Sequence, residues 1–254
     1  MKYTGRGLLP GWRWTGYPGR RMATFALVHG AGHGAWCWER LIPVLEALGH
    51  RAVAMDLPCE DPTAGVGRYA EVVDRAIPAT TDLVLVGHSL AGLTIPLVAA
   101  RRPVRRLVYL CAIVPELGRS LADQVAADPS LYHEVVRTNP GRLTAPDGAT
   151  TLRDAAAARA IFYHDCTPED VAWAFARLRP QAAAPRGEPC PLRAWPPGDT
   201  ACILCREDHA ISPAWSRRVA RERLGVEPIE LDGGHSPFIS RPSVLAGVLD
   251  RLAR

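Results

Sequence analysis

Short apolar runs of strand length recur along the chain, separated by longer stretches in which apolar residues return every three or four positions. The runs extend from Thr24 to His29, Ala52 to Met55, Asp82 to Gly87, Arg106 to Cys111, Ala201 to Cys205 and Pro228 to Leu231. Between the first two, Trp36, Leu41, Val44, Leu45 and Leu48 fall at helical spacing, and Gly49 follows as a stop signal. The same pattern predicts further crossover helices from Tyr69 to Ile77, Leu90 to Ala100, Ala214 to Leu224 and Ser243 to Leu252. Strand and helix in strict alternation predict a mostly parallel sheet with helices on its faces.

The alternation breaks once. Residues 112–199 hold helical patches, from Ala155 to Tyr163 and from Pro168 to Arg179, joined by Pro-rich links, and the stretch from Pro180 to Pro197 reads as the return path to the next strand. This predicts a helical lid inserted between late strands of a single domain spanning residues 22–254. Phe162, Tyr163, Trp173, Phe175 and Trp195 enrich the lid in aromatics, which either pack it or line an apolar pocket beneath it.

Residues 1–21 carry five basic and no acidic side chains amid repeated Gly and Pro, the composition of a disordered or loosely packed tail. They lack the continuous apolar stretch of a secretory signal. Met22 stands directly before the first strand and is an alternative start.

Composition removes several functional classes. In 254 residues, 48% are hydrophobic and 22% charged, which is ordinary globular usage, and no apolar run reaches membrane-spanning length. The net charge of +4 is carried by arginines scattered along the chain, with Lys2 the only lysine. A nucleic-acid footprint needs a clustered basic face, so none is expected. Seven cysteines at irregular spacing make a poor disulfide framework and predict reduced thiols and a cytoplasmic protein. Cys202 and Cys205 spell C-x-x-C, but inside a strand residues three apart face opposite sides, which excludes a shared metal or redox role.

The candidate chemistry starts at Leu83-Val84-Leu85-Val86-Gly87-His88-Ser89-Leu90-Ala91-Gly92, where a strand enters a small-residue turn and a helix-capable segment follows. A nucleophile elbow has this context, because the sharp turn lifts the serine above the sheet edge and its flanks must be small enough for two backbones to meet. Gly87 and Ala91 satisfy that requirement, with Gly92 one place later than the usual second glycine. Serine is a weak nucleophile until a base takes its proton, and histidine titrates in the right range. His235 follows the last strand through Asp232-Gly233-Gly234 and precedes the final helix, where a loop can bring it over the elbow. The acid that orients the base should follow a strand lying between the two in sequence. Asp208 closes the run from Ala201 to Glu207 and is preferred over Glu207 and Glu116. Donors for an oxyanion are expected from the backbone N–H groups of Ala31, in His29-Gly30-Ala31-Gly32-His33-Gly34, and of Leu90, after the serine. Alternate glycines without G-x-G-x-x-G or a G-K-[ST] ending do not make a nucleotide loop.

These residues resemble the plant methylesterase and hydroxynitrile lyase branch of the α/β-hydrolases and its bacterial esterase relatives. The resemblance runs through Leu27-Val28-His29-Gly30-Ala31-Gly32-His33-Gly34-Ala35-Trp36-Cys37-Trp38, Asp56-Leu57-Pro58, the elbow, Glu207-Asp208 and Gly234-His235. It implies the α/β-hydrolase fold, Ser89, Asp208 and His235 as catalytic triad, Ala31 and Leu90 as oxyanion hole, and no cofactor or metal. Lyase members use a lysine directly after the histidine and a threonine in the first loop, where this chain has Ser236 and Gly30. The expected reaction is hydrolysis of a small carboxylic ester, with a lactone or thioester as the alternative substrate. A small-ligand-binding protein on the same fold, without turnover, is the alternative of another class.

Overall fold

Near-continuous apolar sequence at β1 (Thr24–Val28) and β3 (Leu83–His88) leaves these strands no face for water, and both are buried along their whole length. With β2 (Arg51–Met55), β4 (Arg106–Leu110), a ribbon of β5 (Arg142–Thr144) and β6 (Thr150–Leu152), then β7 (Asp199–Cys205) and β8 (Ile229–Leu231), they make eight strands in the computed structural model, which describes residues 22–254. The basic tail of residues 1–21 lies outside the described residues.

Six strands form one sheet in the order β2-β1-β3-β4-β7-β8, every neighbouring pair parallel. This is the α/β-hydrolase fold. Successive residues of each strand serve opposite cores: Phe25, Leu27, Val84 and Val86 pack on one face, Ala26, Val28, Leu83 and Leu85 on the other. Cys202 and Cys205 divide in the same way, one to each core, and all seven cysteines are free and buried. The chain leaves β1 toward β2 on one side and returns to β3 on the other. That reversal opens a crevice at the carboxyl ends of β1 and β3, the place where parallel sheets bind ligands. Val28 pairs with Gly87, so the glycine loop after β1 and the turn after β3 emerge side by side.

Two predicted crossover helices are broken rather than continuous. The first divides into a 3₁₀ turn, Ala35–Trp38, and a helix, Ile42–Ala47; the second divides into a 3₁₀ turn, Ser89–Leu93, and a helix, Ile95–Ala99. Pro43 and Pro96 give the reason: proline has no N–H to donate and is accommodated in a first helical turn, so each α-helix has to begin just before it.

Between β4 and β7 the chain builds a cap from the helices Leu121–Ala127, Glu134–Thr138, Ala155–Phe162 and Pro168–Phe175 and the antiparallel β5–β6 ribbon. The lid expected to be helical thus also carries a short ribbon that was not expected. Each ribbon strand has only three residues, Arg-Leu-Thr and Thr-Thr-Leu, too few for a visible alternation. The helix expected to reach Arg179 ends at Phe175. Among the described residues no helix is long and apolar enough to cross a membrane.

Gly92 explains its displaced position in the elbow. A Cβ at this residue would lie 2.0 Å from the carbonyl oxygen of Ile113, on the segment leaving β4, and the same segment holds the turn through Ile113 N–H donating to the Ser89 carbonyl at 3.0 Å. Gly92→Ala has to push that backbone away. Urea unfolding should show a loss of about 2 kcal/mol or more, and an unchanged midpoint would mean that the contact is soft.

Candidate active site

The turn after β3 places Ser89 in an unusual backbone state. His88 is still extended, whereas Ser89 has φ +54°, the left-handed region that side chains avoid. The conformation needs a neighbour without a side chain. Gly30, from the loop after β1, fills that role: a Cβ there would stand 2.7 Å from Ser89 Cβ and 2.9 Å from His88 Nδ1. Ser89 lines the cleft, and its hydroxyl makes no hydrogen bond among the described residues. The N–H groups of Ala31 and Leu90 belong to the two segments flanking it. Leu90 lies at the start of a helical turn, where N–H groups have no intrahelical partner, and Ala31 N–H donates to no other described group.

Asp208 and His235 come from the loops after β7 and β8, adjacent parallel strands. Asp208 Oδ1 accepts from Ala210 N–H at 2.7 Å and Ile211 N–H at 3.0 Å, which fixes the carboxylate. Its Oδ2 is 2.9 Å from His235 Nδ1. A carboxylate can only accept, so Nδ1 carries a proton, and in the neutral ring the lone pair is then on Nε2. Nε2 is buried and has no partner among the described residues. No hydrogen bond joins it to the Ser89 hydroxyl, a bond that is commonly long before substrate binds. Asp208 and His235 are thus in direct contact, while Ser89 reaches the same region through its neighbour: His88 Nε2–H donates to the His235 carbonyl at 3.0 Å, and the two imidazoles stand 4.5 Å apart.

Three more histidines form the floor behind this pair, and each partner set decides a tautomer. His29 donates through Nδ1 to the Gly30 carbonyl at 2.8 Å and accepts Leu57 N–H at Nε2 at 2.9 Å. His33 donates through Nδ1 to the Ala31 carbonyl at 2.8 Å and accepts the Tyr163 hydroxyl at 2.7 Å. Burial pushes His29 down to about 4 and His33 down to about 3, and it also pushes His88 well below the ordinary histidine range, with the nearby His235 adding to the effect. All three are neutral parts of the scaffold. In the unfolded chain they titrate near 6.5, so the folded values lie below the unfolded ones. Stability is complete well above pH 6.5 and is lost as pH falls toward the folded values, by about 2 kcal/mol each for His29 and His33 at pH 5, with His88 acting in the same direction. Urea midpoints from pH 7.5 to 4.5 should show this decline. His29→Gln should reduce its slope by about one proton, or about 1.4 kcal/mol per pH unit; an undiminished slope would contradict the assignment of His29 as neutral.

The cap is bound to the loops that carry Asp208 and His235. His164 Nε2–H donates to the Glu207 carbonyl at 2.7 Å, and Asp165 Oδ2 accepts Gly234 N–H at 3.0 Å. His164 also stacks on His209 with ring centroids 3.9 Å apart. Glu207, the rival acid, thereby offers its backbone to the cap while Asp208 faces the histidine. Glu116, the second rival, pairs with Arg119 and Arg223. His33, His88, His164 and Asp165 are the contributors that the sequence did not mark; His88 and His33 sit inside recognised motifs, but His164-Asp165 lies in a cap loop with no distinguishing pattern. Asp165→Ala should leave Gly234 N–H without its acceptor and lower kcat about tenfold with little change in KM, and equal kcat for variant and wild type would remove Asp165 from the positioning network.

Of the five cap aromatics, only Phe162 lines the cleft, and it also stacks on His235 at 5.6 Å. Trp173 packs edge-on against Trp36 at 5.1 Å, between Arg40 and Arg177, and Arg40 also pairs with Asp170. The tryptophan motif after β1 is thus a seat for the cap. Phe175 and Trp195 are packing residues, and Tyr163 packs in the same core as Phe175 while its hydroxyl holds His33. The cleft is mostly apolar and opens to solvent. Cys111 Sγ comes within 4.8 Å of the Asp208 carboxylate and the His235 ring, which makes these three the candidate metal donors among the described residues. The facing atoms of Asp208 and His235 are already committed to each other at 2.9 Å.

Residues 25–248 match the family described as "Alpha/beta hydrolase family", and the chain belongs to it. It is 26% identical over 245 residues to the alpha/beta hydrolase nvfD of Aspergillus novofumigatus, covering 89% of this chain and 95% of that protein. It is 38% identical over 114 residues to methylesterase 2 of Arabidopsis thaliana, covering 40% of this chain and 43% of that protein, in keeping with the expected plant branch. Among solved structures, polyneuridine aldehyde esterase superposes with a TM-score of 0.77 at 22% identity, over 92% of this chain and all of that one, a likeness of fold.

Proposed function

We propose that the protein is a serine hydrolase that cleaves a small carboxylic ester through an acyl-enzyme on Ser89. The observation that carries this reading is the Asp208–His235 hydrogen bond at 2.9 Å, which takes up Nδ1 and leaves the buried Nε2 without a partner among the described residues, the atom that as a neutral nitrogen would act as the base. In the proposed sequence the Ser89 oxygen attacks the ester carbonyl carbon and its proton passes to His235 Nε2. Asp208 then faces an imidazolium, and the carbonyl oxygen, now carrying the negative charge, is held by Ala31 and Leu90 N–H. Collapse of the tetrahedral species breaks the bond to the alcohol oxygen, which leaves with the proton from Nε2. Water, deprotonated by the same nitrogen, attacks the acyl-enzyme and releases the carboxylic acid and free serine.

Esterases and methylesterases among the relatives support this chemistry, and the mostly apolar cleft supports a small organic substrate. Seven free, buried thiols are consistent with a reducing, cytoplasmic setting. A fluorophosphonate probe should label the wild-type protein at Ser89. Ser89→Ala should lose labelling and reduce p-nitrophenyl acetate hydrolysis by about a thousandfold or more, and Asp208→Asn should lower kcat by a factor on the order of 10³ to 10⁴ by releasing the tautomer. Wild type that neither labels nor hydrolyses any ester, methyl ester or lactone would favour the ligand-binding alternative.

A further inference from the structure

Two guanidinium groups on the cleft wall have no part in the acyl transfer. Arg142 comes from β5 and Arg186 from the short helix Ala184–Gly187, and both line the same cleft as Ser89. Arg186 donates to Thr150 Oγ1 at 2.9 Å and to the Gly148 carbonyl, both neutral acceptors. Among the described residues the Arg142 side chain forms no hydrogen bond, and neither arginine forms a salt bridge. The third arginine on this wall is different. Arg179 is consumed by the His33 carbonyl at 2.7 Å and the Leu57 carbonyl at 3.2 Å, with Asp56 and Glu60 within 4.0 Å.

The missing counter-ion is not elsewhere in the cleft, because no Asp or Glu lines it, and residues 1–21 contain no acidic side chain to supply one. Burial pushes Arg186 below the ordinary arginine value and the neighbouring Arg142 charge acts in the same direction, while the Tyr132 phenol acts against them. The Tyr132 hydroxyl, on the same wall, adds a third polar group that can donate. An apolar cleft with two unneutralised guanidiniums and a phenol is built to receive an anion with more than one oxygen, since the guanidinium fork matches a carboxylate.

We propose that Arg142 and Arg186 form an anion subsite, and that the substrate is an ester bearing a second, free carboxylate, such as a half-ester of a dicarboxylic acid. The proposal rests on the serine-hydrolase reading for the ester end of that substrate. The apolar wall takes the methylene chain, and the two arginines take the carboxylate that neutral ester substrates lack. Pairing replaces the hydration that the arginines have partly lost, so the free acid contributes to selection rather than merely being tolerated.

The test compares mono-4-nitrophenyl esters of adipate, pimelate and suberate with the 4-nitrophenyl esters of hexanoate, heptanoate and octanoate. At one chain length kcat/KM should favour the anionic ester by about tenfold or more. Arg142→Gln and Arg186→Gln should each lower that ratio about tenfold, while Arg153→Gln, on the outer surface, should leave it unchanged. Arg186 ties down Gly148 and Thr150, so if Arg186→Gln melts early, Arg142→Gln, which breaks no hydrogen bond, carries the comparison. Binding of monomethyl suberate to Ser89→Ala, followed by calorimetry, reads the subsite without turnover and should weaken about tenfold when Arg142→Gln is added. Neutral esters preferred at every length by protein that labels at Ser89, or monomethyl suberate binding indifferent to both arginines, would overturn the subsite and leave the hydrolase standing. Arginine-dependent binding by protein that neither labels nor cleaves would do the reverse.

Discussion

A serine forced into left-handed backbone is the constraint on which the rest of this structure turns. The conformation is held at a cost of order 1–3 kcal/mol by its surroundings, and those surroundings are specific: the Gly30 backbone on one side, the Ile113 segment on the other, and Gly92 admitting that segment. β1, β3 and β4 have to run parallel and adjacent for these three pieces to meet. Fold and elbow are therefore one requirement. The sheet order brings two loops together at a reversal point, and the glycines let them approach closely enough to hold the serine.

A second level of organisation lies in polar groups that carry no charge. His29, His33 and His88 are buried, and each has a fixed tautomer because its partners are carbonyls, an N–H or a hydroxyl. They anchor the glycine loop and the backbone of His235 without placing a competing cation beside Asp208. In the proposed chemistry one histidine changes protonation state, and keeping the others neutral confines the change to it.

How much of this was legible in the sequence depended on the range of the interaction. The six sheet strands show because burial on both faces demands long apolar runs, and Ser89, Asp208 and His235 show because each follows such a run in the order the fold requires. The C-x-x-C pair likewise separates to opposite cores, as strand periodicity dictates. The β5–β6 ribbon was missed because three-residue strands leave no period to detect, although Pro146-Asp147-Gly148 was a readable turn, with Gly148 at φ +80°. The breaks at Pro43 and Pro96 were equally readable. The contacts of His164 and Asp165 with the loops after β7 and β8 were not, because they join residues more than 40 positions apart with no local pattern. Arg142 and Arg186 belong to the same class: only the folded cap brings them to one wall.

The attachment of the cap has a bearing on how such proteins can be recombined. Trp173 sits against Trp36, Tyr163 bonds to His33, and residues 164–165 grip the loops bearing Asp208 and His235, so the inserted segment is part of the frame that holds the candidate site together. Chimaeras that graft a foreign cap between β4 and β7 will inherit its recognition surface but forfeit these joints unless the 163–165 tripeptide and its tryptophan travel with the graft. Divergence of specificity in this chain is then easier along the ribbon and the Ala184–Gly187 turn, which can vary while the joints stay in place.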